Sequence, residues 1–293
     1  MEDKPLLKPK MDLIFKAIFG REVSKEILES FLKSVLNIPV ETEMDIVIID
    51  PSTRSEKEDD KNSIIDVRVE TSSEIINVEI QLSKDPSMND RVIYGISKTV
   101  ANQKFSGDDY KLKKVVAIVI AGYDLIKTHK HYHDTFRYHS KKTGHTFSES
   151  TEIHTLELKK LPDIDDGSML WNWLKFIKSE ERGEFEMLAQ KDVTIGKAVS
   201  ILKDISMDEA LRMQAHNREM GELREKAIRL ENKRKIKEAE IRGTERGIEQ
   251  GNLSKAKETA ITMLEKGFDK PTIAEIIKMP IEWVEEIAAS NKS

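Results

Sequence analysis

Apolar and polar residues alternate with period two over residues 64–69 and again over 75–82, the mark of strands with one buried and one polar face. The two β-branched runs are separated by a polar stretch that includes Thr71, Ser72, Ser73 and Glu74, which predicts a hairpin without the usual glycine. Before it, helical spacing places Phe15, Ile18 and Phe19 on one stripe of residues 11–19. Ser24 then stands as N-cap of a second helix carrying Ile27, Leu28, Phe31, Leu32, Val35 and Leu36, stopped by Asn37-Ile38-Pro39. Residues 44–49 read as a strand, and 52–63 as a charged loop.

Beyond the hairpin, Asn89 or Asp90 is expected to cap a helix reaching about Phe105, with Val92, Ile93, Ile96 and Val100 buried and Gly107 closing it. Residues 114–120 are continuously apolar, as in a strand covered on both faces. Weaker strands follow at 134–139 and 151–158 around the turn signal Lys142-Thr143-Gly144. Past Pro162 the period becomes helical: Met169, Leu170, Trp173, Leu174 and Ile177 form one stripe, and Ile195, Val199 and Leu202 another. From residue 206 to about 267 strand signals vanish and charged residues dominate. Gly243, Gly247 and Gly251 there suggest a bend, a linker or partial disorder, or else a close helix–helix dimer contact. The apolar pattern returns as Ala256, Ala260, Met263, Leu264, then Ile273, Ala274, Ile276, Ile277, then Trp283, Val284 and Ile287: helix, turn, helix, turn, helix.

This order of elements predicts an α/β core, a mixed sheet flanked by helices, over residues 8–165. An all-helical region with a long charged helix follows over 166–254, and a small helix-turn-helix-like tail over 255–290. The last predicted helix carries Glu282, Glu285 and Glu286 and no Arg or Lys, which favours protein contact over DNA-groove reading for the tail.

The hairpin also carries the candidate chemistry. A turn centred between Ser72 and Ser73 pairs residues whose numbers sum to 145, setting Asp66 opposite Glu79 and Ile64 opposite Gln81. Two carboxylates about 4 Å apart at an effective dielectric near 20 repel by roughly 4 kcal/mol. A divalent cation with a preference for oxygen ligands would offset that; a register shifted by one residue would instead send the acids to opposite faces. Arg91 falls in the first turn of the next helix, where backbone N–H groups favour anions, so it is a candidate phosphate contact or a structural partner of a site acid. Tyr94 either packs or orients Gln81. Asp12 and Lys16 are four apart on one helix face and read equally as a surface ion pair.

Asp66 followed by Glu79-Ile80-Gln81 resembles the Asp and Glu-x-Lys core of the PD-(D/E)XK nuclease superfamily, in the variant with Gln for Lys. Together with residues 12–20 (DLIFKAIFG), Arg91-Val92-Ile93-Tyr94 and Gly107-Asp108-Asp109-Tyr110, in that order, it resembles the Rpn family of recombination-promoting nucleases, also described as PD-(D/E)XK transposases. The resemblance extends through about residue 125. It implies the restriction-endonuclease-like fold and a metal-dependent DNA endonuclease acting in transposase-like recombination. Asp66 and Glu79 would hold Mg²⁺ (or Mn²⁺) with Asp12 as a third carboxylate, Gln81 would stand at the usual Lys position, and Lys16 and Arg91 would lie near substrate phosphate. The alternative is a catalytically decayed nuclease fold that binds DNA or protein. Nothing in the chain reads the sugar, so RNA is a further substrate class to weigh against DNA.

Composition adjusts this picture. In 293 residues, 38% are hydrophobic, enough for a core, and 34% are charged, with the excess in the C-terminal third. With no Cys, disulfides and thiolate metal sites are excluded, which fits a reducing cytoplasm. The N-terminal residues lack an apolar signal stretch, and no run is long enough to span a bilayer, so a cytoplasmic protein without membrane attachment is expected. A net charge of −5 argues against broad coating of nucleic acid but permits local basic contacts. The C-terminal helices suggest a homo-oligomer. His129, His131 and His133 alternate as three imidazoles on one side of an extended segment would, yet no acid or Cys completes a zinc set.

Overall fold

The computed structural model describes residues 4–49, 66–103 and 111–290, so the expected charged loop and the closing Gly107 lie outside the described residues. The chain divides into two compact units, residues 1–220 and 221–293.

The first unit is built on a mixed six-stranded sheet, order β1-β2-β3-β4-β6-β5, with β1 Val47–Ile49, β2 Val67–Glu70, β3 Glu74–Gln81, β4 Lys114–Ala121, β5 His133–His139 and β6 Thr146–Glu157. β1, β2 and β3 run antiparallel in succession, β3, β4 and β6 are parallel, and β5 returns antiparallel on β6. The parallel step from β3 to β4 uses α3 (Met88–Ala101) as its crossover helix.

Alternation divides the sheet's side chains between two cores. Val67, Val69, Ile76, Val78, Ile80, Val116, Ile118, Ile120 and Leu156 face the larger one. It is roofed by α1 (Asp12–Phe19), α2 (Lys25–Leu36), α4 (Met169–Lys178), α5 (Arg182–Lys191) and α6 (Val193–Met207). Val115, Ala117 and Val119 face the smaller core under Met88, Val92 and Ile96 of α3. β4 is thus buried on both faces, as its unbroken apolar run requires.

A chain of aromatic rings runs through the larger core. Phe15 packs on Phe19 at 4.5 Å between ring centroids, Phe19 on Trp173 at 5.7 Å, Trp173 edge-on to Phe176 at 5.9 Å, and Phe176 on Phe185 at 5.6 Å. α4, α5 and α6 therefore share one core with α1 and α2.

Three expectations differ locally. Ser24 precedes α2 but its hydroxyl makes no capping bond, because a 3-10 turn, Glu22–Ser24, leads straight into the helix and buries that oxygen. α3 starts earlier than expected, with Ser87 rather than Asn89 or Asp90 at the cap position. Ile93 is 46% exposed, because the stripe that meets the sheet is Met88, Val92, Ile96 and Thr99.

α7 (Glu209–Glu265) is continuous through Gly243, Gly247 and Gly251. A Cβ built at any of the three meets nothing within 4 Å, so they neither end the helix nor mark a close contact among the described residues. In the second unit Ala260 of α7 packs with Ile273 and Ala274 of α8 (Lys270–Ile277) and Val284 and Ile287 of α9 (Ile281–Ser290).

Trp173→Ala removes the centre of the ring chain and is expected to cost the first unit about 3–5 kcal/mol, read as a lower urea midpoint. An unchanged midpoint would mean that α4 is not held by this core.

Candidate functional site

The hairpin turn closes without glycine because the Thr71 hydroxyl accepts the backbone N–H groups of Ser73 (3.2 Å) and Glu74 (2.9 Å). The ladder then pairs Glu70 with Ile75, Val69 with Ile76, Arg68 with Asn77 and Val67 with Val78, the register that sums to 145. One residue further it slips: the Asp66 N–H donates to Val78 O at 2.9 Å, so Asp66 is not squarely opposite Glu79. The Asp66 carboxylate turns across the strand end instead and accepts the Ile80 N–H at 2.7 Å. The expected pairing of Ile64 with Gln81 lies outside the described residues.

Asp66 is 8% exposed, and Lys16 of α1 reaches its other oxygen at 3.1 Å. Burial pushes the Asp66 carboxyl up; the Ile80 N–H and the Lys16 ammonium pull against it. Glu79, its side chain 13% exposed, is pushed up to about 7 by burial. Arg91 opposes the shift, while the negative charges of Asp66 and Asp85 add to it. The two acids therefore share one desolvated strand end, and two cations arrive from opposite faces of the sheet.

Arg91 leaves the first turn of α3 and bridges two carboxylates: Glu79 at 2.9 Å and Asp85. Asp85 is itself fixed by the Ser87 N–H at 2.9 Å and the Ser87 hydroxyl at 2.7 Å, which hold its carboxyl below the ordinary range, with Arg91 assisting. Tyr123, just past β4 and 7% exposed, puts its hydroxyl into the field of Asp85, Glu79 and Arg91. Gly122 makes this approach possible. A Cβ there would lie 2.9 Å from the Cα and carbonyl oxygen of Leu82, and the Gly122 N–H donates to Gln81 O at 2.9 Å. Sequence reading missed Asp85, Gly122 and Tyr123; the available signals were an Asx-type Asp-Pro-Ser loop and a Gly-Tyr pair ending a buried strand.

The remaining candidates are placed as follows. The Gln81 amide donates to Ser83 O at 3.0 Å, while Tyr94 is 56% exposed on α3. Asp12 is not gathered with Asp66 and Glu79: its carboxylate is paired with Arg218 of α7 and accepts the Leu13 N–H at 2.6 Å. Lys16, one turn on, is the residue of α1 that reaches the acids. His129 pairs with Asp134 at 2.9 Å and its ring lies 5.5 Å from that of His131, while His133 meets His154 at 2.9 Å.

Two carboxylates that resist ionisation by burial, and that have drawn in Lys16 and Arg91, form a donor set suited to a hard divalent cation. Among the described residues no group of three metal-ligating side chains is assembled. No helix among them is long and apolar enough to cross a membrane. The profile of a family described as PD-(D/E)XK nuclease family transposase matches residues 9–239, which takes in α1, the whole sheet and most of α7. No curated protein and no solved structure gives a significant match.

The raised Glu79 carboxyl makes stability fall with pH. The folded state holds a proton that the unfolded chain has released, so the penalty is absent below about 4.5 and complete above about 7. Glu79→Gln should therefore gain about 1–3 kcal/mol relative to the parent on going from pH 5 to pH 8, measured by urea unfolding at both. Equal differences at the two pH values would refute the assignment.

Proposed function

The chain belongs to the PD-(D/E)XK nuclease transposase family, and from that premise we propose that it hydrolyses DNA phosphodiesters within a strand, in a divalent-metal-dependent reaction serving transposase-like recombination. The observation that supports this most directly is the pair of desolvated carboxylates at the end of β2 and β3, flanked by Lys16 and Arg91.

In this reading Asp66 and Glu79 hold Mg²⁺ or Mn²⁺, which when bound polarises a phosphoryl oxygen and acidifies the attacking water. The chain's own residues do the rest. Lys16 and Arg91 compensate the acids in the free protein, and each becomes available to a phosphate oxygen as the carboxylate charge is taken up. Gln81 stands where related sites carry Lys; its amide offers a hydrogen bond to water or phosphate but no charge. Asp85 positions Arg91 through the Ser87-anchored loop. Asp12 adds a third carboxylate once Arg218 releases it. Tyr94, exposed on the Arg91 helix, supports the substrate side. The exposed apolar residues of α7, including Leu223, Leu230, Ile241 and Ile248, supply self-association.

A second reading, a nuclease fold kept for binding alone, is favoured by one observation: the Gln81 amide is spent on Ser83 O. Calorimetry separates the two. Catalysis predicts Mg²⁺ or Mn²⁺ binding that Glu79→Gln abolishes; binding alone predicts no metal heat in the parent.

Supercoiled plasmid with Mg²⁺ tests the activity. The parent should nick it, and Asp66→Ala and Glu79→Ala should each slow nicking by at least about 100-fold, the size expected when a metal ligand or its electrostatic role is lost. Variants as fast as the parent would end the nuclease reading.

A further inference from the structure

β4 pairs with β6 only from Thr151 onward, while β6 begins at Thr146 and β5 continues to His139. The far halves of β5 and β6 thus leave the sheet as a two-stranded ribbon. Its tip is closed by reciprocal backbone bonds: Ser140 N–H to His145 O and Gly144 N–H to Ser140 O, both 2.8 Å, with Gly144 at φ 72°. That positive φ is one that L side chains rarely adopt.

This ribbon has an unusual surface. Phe147 is 87% exposed, Tyr138 52% and Phe136 38%, and Tyr138, His139, Ser140, His145 and Phe147 line an open depression. Residues 135–148 contain Arg137, Lys141, Lys142, His139 and His145 and no acidic residue, in a chain whose net charge is −5. Arg137 is committed to Glu152 at 2.5 Å and to Glu149 at 3.5 Å. Lys141 and Lys142, exposed at the tip, form no ion pair among the described residues. A solvated two-stranded ribbon has little core to hold it, and Phe147, 87% exposed, adds almost nothing to one.

Partly and largely exposed rings, beside lysines with no ion pair among the described residues, match a strand of nucleic acid. Each base has a π-face to stack, and each phosphate carries a negative charge that a lysine can neutralise, releasing its counterion. Protein interfaces are depleted in Lys, whereas Lys141 and Lys142 adjoin these rings. We infer that the β5–β6 ribbon is a DNA-binding arm that stacks unpaired bases on Tyr138 and Phe147 while Lys141 and Lys142 neutralise the adjoining phosphates. The rung of Thr155, level with Val119 and Glu79, lies roughly 30 Å from the rung of Thr146 at the usual strand rise. The arm therefore engages DNA well away from the acids. The inference rests on the nuclease reading for its choice of DNA, but its test needs no cleavage.

Fluorescence anisotropy of the full chain with a labelled single-stranded oligonucleotide in EDTA, over a salt series, measures the arm directly. Tyr138→Ala with Phe147→Ala should weaken binding about 5- to 100-fold with the salt slope unchanged. Lys141→Ala with Lys142→Ala should lower the slope by about 1.4. Tyr138→Phe, which keeps the ring, should stay within about twofold of the parent. The inference is overturned if the parent does not bind, if the ring variants bind as the parent does, or if sedimentation shows that they change self-association while leaving DNA affinity intact. Loss of plasmid nicking in Asp66→Ala bears on the nuclease reading alone, because the anisotropy is recorded without metal.

Discussion

Charge compensation at a dry strand end is the constraint on which the rest of the first unit depends. Asp66 and Glu79 are carboxylates taken out of water beside one another, an arrangement that costs free energy unless positive charge is delivered to it. The fold delivers it twice, from Lys16 on one side of the sheet and Arg91 on the other. Each cation rides on a helix whose position is fixed by a separate apolar core, so α1 and α3 are set where electrostatics requires them by packing that involves no charge.

Backbone detail completes the arrangement. The slip of the ladder at Asp66 frees its carboxylate to take the Ile80 N–H, a bond that a regular rung would not offer. Gly122 lets the ends of β3 and β4 approach closely enough for Tyr123 to fold back toward Asp85 and Glu79. Asp85 then holds the Arg91 guanidinium from the side opposite Glu79. Loop, helix start and strand end thus form one electrostatic unit, although they are separate in sequence.

Much of this was legible before any coordinates. Period-two alternation gave β2, β3 and their register to within the last rung, and the continuous apolar run of residues 114–120 gave a doubly covered strand. The slip at Asp66 was not legible, because it follows from a desolvated carboxylate competing for an N–H, which no periodicity encodes. Ile93 was misplaced because an apolar residue one position off the stripe looks the same in sequence as one on it. The pairing of Asp12 with Arg218 joins residues too distant in sequence for a local rule to detect. α4 joins the main core through Trp173, whose partners on α1 and α2 a pattern-based reading does not identify.

The middle of α7 is held by almost nothing except itself. Beyond Arg218 and Glu219, which pair with Asp12 and Lys8, its side chains are largely solvated until Ala260, and the ion pairs Lys235–Glu231 and Arg234–Glu238 lie within the helix. Such a span opens and recloses by helix–coil fluctuation, without disturbing a packed core. Amide exchange should therefore be fast at its centre and slow toward both ends. Residues 1–220 and 221–293 are therefore expected to lose their structure in separate transitions.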